Sequence, residues 1–218
     1  MHKPWSESST AHHHGYDFDE RDNNKDLPHH EKFSQWVYEN FSVNQISIFD
    51  IGCGPAWVLN YFPSLTKYVG VDLNPVCIQT AVDNYKNSKT SFYVADIEES
   101  VDDKIFEEGT NCNICYIDSV FRMFESPKKV LEDILLPNFD FIYLNRTHAS
   151  PETKKGSYWW GGMSQPSAVW TLSKSFFETI LQHYPHTLEM TYCPNDLWTR
   201  DCRVIIAKDS ENVRMMIK

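Results

Sequence analysis

No apolar run in this 218-residue chain approaches the roughly 20 residues that cross a bilayer. Its first residues, Met1-His2-Lys3-Pro4-Trp5-Ser6, lead into polar sequence, not into the apolar segment of a secretory signal. Neither a membrane protein nor an exported one is expected, and the cytoplasm is the expected compartment. Cationic charge is scarce as well: 20 Lys and Arg stand against 30 Asp and Glu, a formal net charge of −10. Proteins that track phosphate backbones display a basic stripe, so nucleic acid is not an expected partner, although a small local basic pocket remains compatible with this balance. Of the six cysteines only Cys112 and Cys115 form a Cys-x-x-Cys pair, no second pair has zinc-site spacing, and no HExxH helix is present. Strand alternation sends those two thiols to opposite faces, which fits reduced cysteines in an intracellular protein without a metal site. No internal repeat is present.

What is there suits one globular unit. Hydrophobic residues make up 41% of the chain and aromatics 14%, enough to exclude a disordered or fibrous protein. Residues 1–30 are polar and rich in His, Asp, Glu and Asn, and are read as an arm. His12-His13-His14 and His29-His30 fall within it, as solvated residues and not ligands. A single domain is expected over residues 31–208, followed by a tail at 209–218.

Along that domain the hydrophobic period switches repeatedly between helix and strand. Phe33, Trp36, Val37 and Tyr38 mark a first helix. Strands are expected over 46–51, 68–72, 91–95, 113–117, 139–144, 187–192 and 202–207. Helices are expected over 56–62, 75–87, 127–136 and 173–184, two of them started by Pro75 and Pro127. Alternating β and α elements imply an α/β fold. It is a doubly wound, mostly parallel seven-stranded sheet with helices on both faces and an antiparallel C-terminal edge strand. Residues 147–171, with Gly156, Gly161, Gly162, Pro151 and Pro166, read as a long irregular loop over the site. Its aromatics Tyr158, Trp159, Trp160 and Trp170 suit either a hinged lid or a small core of the loop's own.

The motif that carries chemistry is Asp50-Ile51-Gly52-Cys53-Gly54-Pro55-Ala56, followed by Gly70-Val71-Asp72. An apolar run ends in a tight Gly-containing loop, and an acid closes the next strand. Glycine allows the turn and the close approach of a ligand. An acid roughly 20 residues on, at the end of the following strand, suits the hydroxyls of a ribose. In such folds ligands bind at the carboxyl ends of the strands, and each candidate residue falls at such an end.

The succession resembles a class I S-adenosylmethionine-dependent methyltransferase over roughly residues 33–208. Asp50, Gly52 and Gly54 resemble the first motif, which lies beside the methionine part of the cofactor; Ala56 stands where a third glycine often does. Asp72, with Leu73 beside it, resembles the ribose-binding second motif. Asp96 and Ile97 resemble the adenine-binding third, and Asp118 and Ser119 the fourth-strand motif that faces the sulfonium. An NAD enzyme, a nucleoside-binding module without transfer activity, and a protein or RNA methyltransferase are the other readings. A finer similarity links Ser119–Pro127, Leu144–Thr147 and Ala168–Ser173 to bacterial methyltransferases associated with surface-polysaccharide biosynthesis.

The resemblance implies S-adenosylmethionine as cofactor, no metal, and a small-molecule acceptor. Asp50 is also readable as a strand cap, Asp72 as a turn residue, Asp96 as an Asx turn, and Cys53 as a packing residue and not a nucleophile. Arg146 and His148 follow the fifth strand, where acceptor groups often sit. Arg146 is the candidate for orienting the acceptor and His148 for the general base. A surface salt bridge and a solvated histidine are the alternatives.

Overall fold

The structure, a computed structural model, describes residues 28–99, 104–107, 112–158, 167–190 and 199–209. Alternation along the strands decides which face of the sheet each side chain joins. On β1 (Ile46–Ile51), Ile46 and Ile48 enter one core and Phe49 and Ile51 the other. β4 (Cys112–Asp118) divides in the same way, Cys112, Ile114 and Tyr116 against Cys115 and Ile117. The two thiols of the Cys-x-x-Cys pair thus point to opposite faces, and Cys53, Cys77, Cys112, Cys115 and Cys202 are all free and buried.

The sheet runs β3-β2-β1-β4-β5-β9-β8. Its parallel part comprises β2 (Lys67–Asp72), β3 (Thr90–Val94), β1, β4 and β5 (Phe141–Ala149). The antiparallel strand is β9 (Thr199–Ala207), which lies between β5 and the outermost strand, β8 (His186–Met190). The order reverses between β1 and β4, which opens the crevice where ligands of such sheets bind.

Helix α1 (Pro28–Asn40) covers one face with Phe33, Trp36 and Val37. Helix α2 (Pro75–Tyr85) is capped by Asn74, whose side chain accepts from the amides of Val76 and Cys77. The short α3 (Lys104–Glu107) contributes Ile105 to the other face. Helix α4 begins at Pro127–Lys129, passes through a π segment (Val130–Leu135) and closes at Leu136–Asn138. Helix α5 (Lys174–Ile180) is capped by Ser173, which accepts from the amide of Phe176 at 3.1 Å. Among the described residues no helix is long and apolar enough to cross a membrane.

Three elements differ from the sequence expectation. The helix over 56–62 is a five-residue 3-10 turn, Trp57–Tyr61, because Ala56 enters it in the left-handed region (φ 60°) without a side-chain cap. The described residues of the stretch 147–171 are mostly strand, not irregular loop. β5 runs on to Ala149, and β6 (Lys154–Tyr158) pairs antiparallel with β7 (Ser167–Thr171). Glycine and proline obscured that hairpin, which is held by backbone pairing across its two arms. Finally, α1 starts at Pro28, so His29 and His30 stand on a helix and not in an arm. The arm over 1–27 with His12-His13-His14, the aromatic pair Trp159-Trp160 with Gly161 and Gly162, and the tail from 210 lie outside the described residues.

Candidate active site

The loop after β1 folds back onto the end of β2. The amides of Gly52 and Cys53 both donate to the Val71 carbonyl, at 2.7 and 3.1 Å. Gly52 has φ 76°, and a Cβ there would lie 2.4 Å from Val120 Cγ2, so only glycine fits against the segment leaving β4. Gly54 also has positive φ (53°), but among the described residues nothing lies within 4 Å of where its Cβ would be. Its amide donates to Asp72 Oδ2 at 2.8 Å, and the Asn74 amide donates to Oδ1 at 2.8 Å. Burial pushes the Asp72 carboxyl above its usual range, against the pull of the Asn74, Gly54 and Leu73 amides. The acid is thereby fixed across the mouth of the glycine loop.

Asp50 sits deeper, 3% exposed, and accepts from Tyr68 Oη at 2.7 Å. Gly70 lets that contact form, since a Cβ there would meet Tyr68 Cε1 at 3.1 Å and Phe92 Cδ1 at 2.8 Å. Burial raises the Asp50 carboxyl to about 8, helped by the nearby Asp118 and Asp72 carboxylates. Cys53 is buried and its thiol is pushed well up, which fits packing and not nucleophilic chemistry. After β3, Asp96 Oδ1 accepts from the Glu98 amide at 3.0 Å, an Asx turn, while the Ile97 side chain joins the core. What Ile97 offers at that strand end is backbone.

The carboxyl end of β4 meets β5 at Asp118. In register it lies opposite Asn145, whose Nδ2 donates to Oδ1 at 3.2 Å. Arg146 donates to the same carboxylate from Nε (2.8 Å to Oδ1) and from Nη2 (2.5 Å to Oδ2). Ser119 (φ 67°) and Arg146 (φ 49°) both hold left-handed backbone, which non-glycine residues rarely adopt. Such strain persists where surrounding contacts over-determine it, and it clusters at functional sites. Here the Ser119 amide donates to the Asn145 carbonyl at 2.9 Å. Buried Arg122 holds the Ser119 carbonyl through Nε and its hydroxyl through Nη2, each at 3.2 Å.

α1 lays two histidines over this cluster. His29 Nε2 is 3.4 Å from Asp118 Oδ2, and His30 Nδ1 is 3.0 Å from Tyr116 Oη. Burial lowers His30 to a pKa of about 3, so it is neutral at ordinary pH. Reading the pair as solvated therefore fails. Pro28, a common first helical residue, together with the Phe33-Trp36-Val37 face marked a helix start ahead of residue 30, and that signal was available in the sequence. His148 is buried at 4% exposure and is not among the Asp118 partners described above, whereas Arg146 is.

Residues 49–135 match the family described as a methyltransferase domain. No curated protein matches the chain in sequence. Among solved structures the chain is similar to the N-terminal domain of EvdMO1, determined with S-adenosylhomocysteine and D-fucose; identity is 13%, 84% of each chain is covered, and the TM-score is 0.63. It is also similar to magnesium protoporphyrin IX methyltransferase from Synechocystis PCC 6803 (13% identity, 87% of this chain and 82% of that one, TM-score 0.55). A third similar structure is CalS10, an amino pentose methyltransferase from Micromonospora echinaspora (8% identity, 88% and 97%, TM-score 0.58).

Proposed function

We propose, from the premise that this chain carries a methyltransferase domain and uses S-adenosylmethionine, that it methylates a hydroxyl or amine of a small molecule. The observation that carries the reading is the Asp72 carboxylate held between the amides of Gly54 and Asn74, at the switch point of the sheet, where among the described residues nothing lies within 4 Å of the Gly54 Cβ position. A carboxylate offers about four acceptor positions, so the Asn74, Gly54 and Leu73 amides leave capacity for a ribose hydroxyl. The cofactor fits the donor set as well. Asn74 is 2% exposed and its Nδ2 is without a hydrogen-bond partner among the described residues.

In this reading Asp50, Gly52 and Gly54 hold the methionine end, Asp72 and Leu73 the ribose, Asp96 and the Ile97 backbone the adenine. Asp118 and Ser119 form the wall toward the sulfonium, and Arg146 orients the acceptor. The cofactor supplies a methyl group made electrophilic by its sulfonium. The chain's part is to hold the acceptor atom in line with it and to take up the acceptor's proton. Two of the similar structures are described with sugars, D-fucose and an amino pentose, which supports a sugar-like acceptor. The motif similarity to methyltransferases of surface-polysaccharide biosynthesis supports the same class.

Calorimetric titration with S-adenosylmethionine tests the cofactor site. We expect binding by wild type and, in Asp72→Ala, a loss of roughly 10-fold or more, the scale of a hydrogen bond to a charged group. Unchanged affinity in the variant overturns the assignment. Labelled cofactor is then offered to sugar, amine and carboxylate pools. Binding without transfer to any of them favours a nucleoside-binding module over an enzyme.

A further inference from the structure

We propose that Glu98 is a positioning residue that ties the adenine end of the cofactor site to the wall toward the sulfonium, so that bound cofactor firms residues 119–126 and the β6–β7 hairpin joined to them. This rests on the methyl-transfer reading above and deepens it. Glu98 directly follows Asp96 and Ile97, in the turn that leaves β3. Two contacts close that turn: the Glu98 amide donates to Asp96 Oδ1 at 3.0 Å, and the Glu99 amide to the Asp96 carbonyl at 3.3 Å. The half-buried Glu98 side chain then reaches a segment beyond β4. Its Oε2 accepts from the Glu125 amide and its Oε1 from the Ser126 amide, both at 2.9 Å. Bonds to an ionised acceptor are the stronger class, and two consecutive amides on one carboxylate fix the backbone between them. Ser126 precedes helix α4 without a cap bond from its own side chain, so Glu98 fastens this chain segment from outside.

Residues 119–126 behave as one piece. At the near end Arg122 clasps the Ser119 carbonyl and hydroxyl, and the Met123 amide donates to the Val120 carbonyl at 2.7 Å. At the far end the hairpin takes hold from the other side. Trp170 Nε1, on β7, donates to the Phe124 carbonyl at 3.1 Å. Lys155 Nζ, on β6, lies 3.2 Å from Glu125 Oε2 and 5.5 Å from the centre of the Trp170 ring. The Lys155–Glu125 pair is exposed and weak by itself; the half-buried Trp170 bond is the firmer of the two. Three consecutive residues, 124, 125 and 126, are thus held by Glu98 on one side and by the hairpin on the other.

Two sites are coupled when both bias the same element. Adenine lying against the Ile97 backbone fixes the turn that carries Glu98. A fixed Glu98 sets the position of residues 125 and 126, and these set the Phe124 carbonyl that Trp170 meets. Coupling is reciprocal, so loosening the hairpin must weaken the cofactor by the factor through which the cofactor firms the hairpin.

Amide hydrogen exchange of the full chain, with and without S-adenosylhomocysteine, reads the link. In wild type the ligand is expected to slow exchange at residues 124–126 and in β7 by roughly 5-fold or more, the lower range of coupling between sites. In Glu98→Ala the slowing should vanish from both segments. Glu98→Gln keeps one acceptor oxygen and should fall between the two, and it carries the test if the alanine variant does not fold. Equal slowing in the variants, or none in a wild type that binds the ligand, overturns the proposal. Calorimetry with the same ligand gives the reciprocal measurement. Trp170→Phe keeps an aromatic ring and removes the Nε1 donor; it should weaken S-adenosylhomocysteine roughly 5-fold in wild type and have no further effect in Glu98→Ala. Additive losses overturn the link, because a Glu98 that only supports the fold leaves the two effects independent. If wild type does not bind S-adenosylhomocysteine at all, the cofactor reading falls and takes this proposal with it.

Discussion

Arg146 lays its guanidinium along both oxygens of Asp118, Nε at 2.8 Å and Nη2 at 2.5 Å, from a backbone held at φ 49°. The strain and the fork belong together: Arg146 lies in the irregularity of β5 between Leu144 and Thr147, and its left-handed backbone aims this side chain back across the neighbouring strand. The fork uses two of the five N–H donors of the guanidinium.

The two roles of position 146 separate by substitution. Arg146→Gly relieves the backbone strain and Arg146→Ala does not, so the glycine variant should be the more stable of the two by about 1 kcal/mol. Both remove the fork, and both should lose methyl transfer alike. Urea unfolding of the pair checks this; an alanine variant as stable as the glycine one would contradict it.

The two loop glycines should fail differently. Gly52→Ala meets Val120 at 2.4 Å and keeps a positive φ, so roughly 2–5 kcal/mol of stability should be lost. Gly54→Ala meets nothing within 4 Å among the described residues, and the backbone cost alone, about 1–2 kcal/mol, applies. In the proposed site its methyl group would intrude on the cofactor, so Gly54→Ala should fold and bind S-adenosylmethionine poorly. Thermal unfolding alongside calorimetry separates the two; full binding by Gly54→Ala would place the cofactor elsewhere.

Asp50 should give the fold a pH signature. Its carboxyl, ordinarily near 3.8, is raised to about 8 by burial. The folded chain therefore holds a proton that the unfolded chain has released between those values. The stability this confers is complete below the lower value and is lost as pH rises through the higher. Asp50→Asn accepts from Tyr68 without titrating, and it should gain on wild type as pH rises from about 4 to 8, by an amount on the order of a few kcal/mol. Urea midpoints across that range measure it, and a constant difference would contradict the buried acid.

His30 should act in the opposite sense. Its pKa falls from 6.5 to about 3 in the folded chain, so its contribution is present above pH 6.5 and is lost as the pH drops toward 3. His30→Gln keeps a group able to bond Tyr116 and does not titrate. The variant should show a shallower loss of stability between about pH 6.5 and 4 than wild type, read from the same urea midpoints. An unchanged acid slope would place the acid sensitivity elsewhere.

The residues proposed to hold the cofactor follow a local pattern in the sequence. Asp50, Gly52, Gly54, Asp72, Asp96, Ile97, Asp118 and Ser119 all lie within the 49–135 segment that matches a methyltransferase domain. They group at the ends of β1, β2, β3 and β4, where period and spacing place them. Arg146, His148 and His29 lie outside that segment, and there the reading was weakest.

The reason is physical. Hydrophobic period, capping residues and glycine placement act over a few neighbours, so the chain by itself determined the seven strands of the main sheet and their mostly parallel arrangement. Which acid is pinned, which is proton-loaded and which histidine is covered depend on groups far apart in the chain. Asp118 meets Arg146 across two strands and His29 from a helix that precedes them all. Tertiary packing also decided that His30 is neutral, that Asp50 is buried against Tyr68, and that β6 pairs with β7. Desolvation and charge pairing act through space, and only the folded chain brings those partners into range.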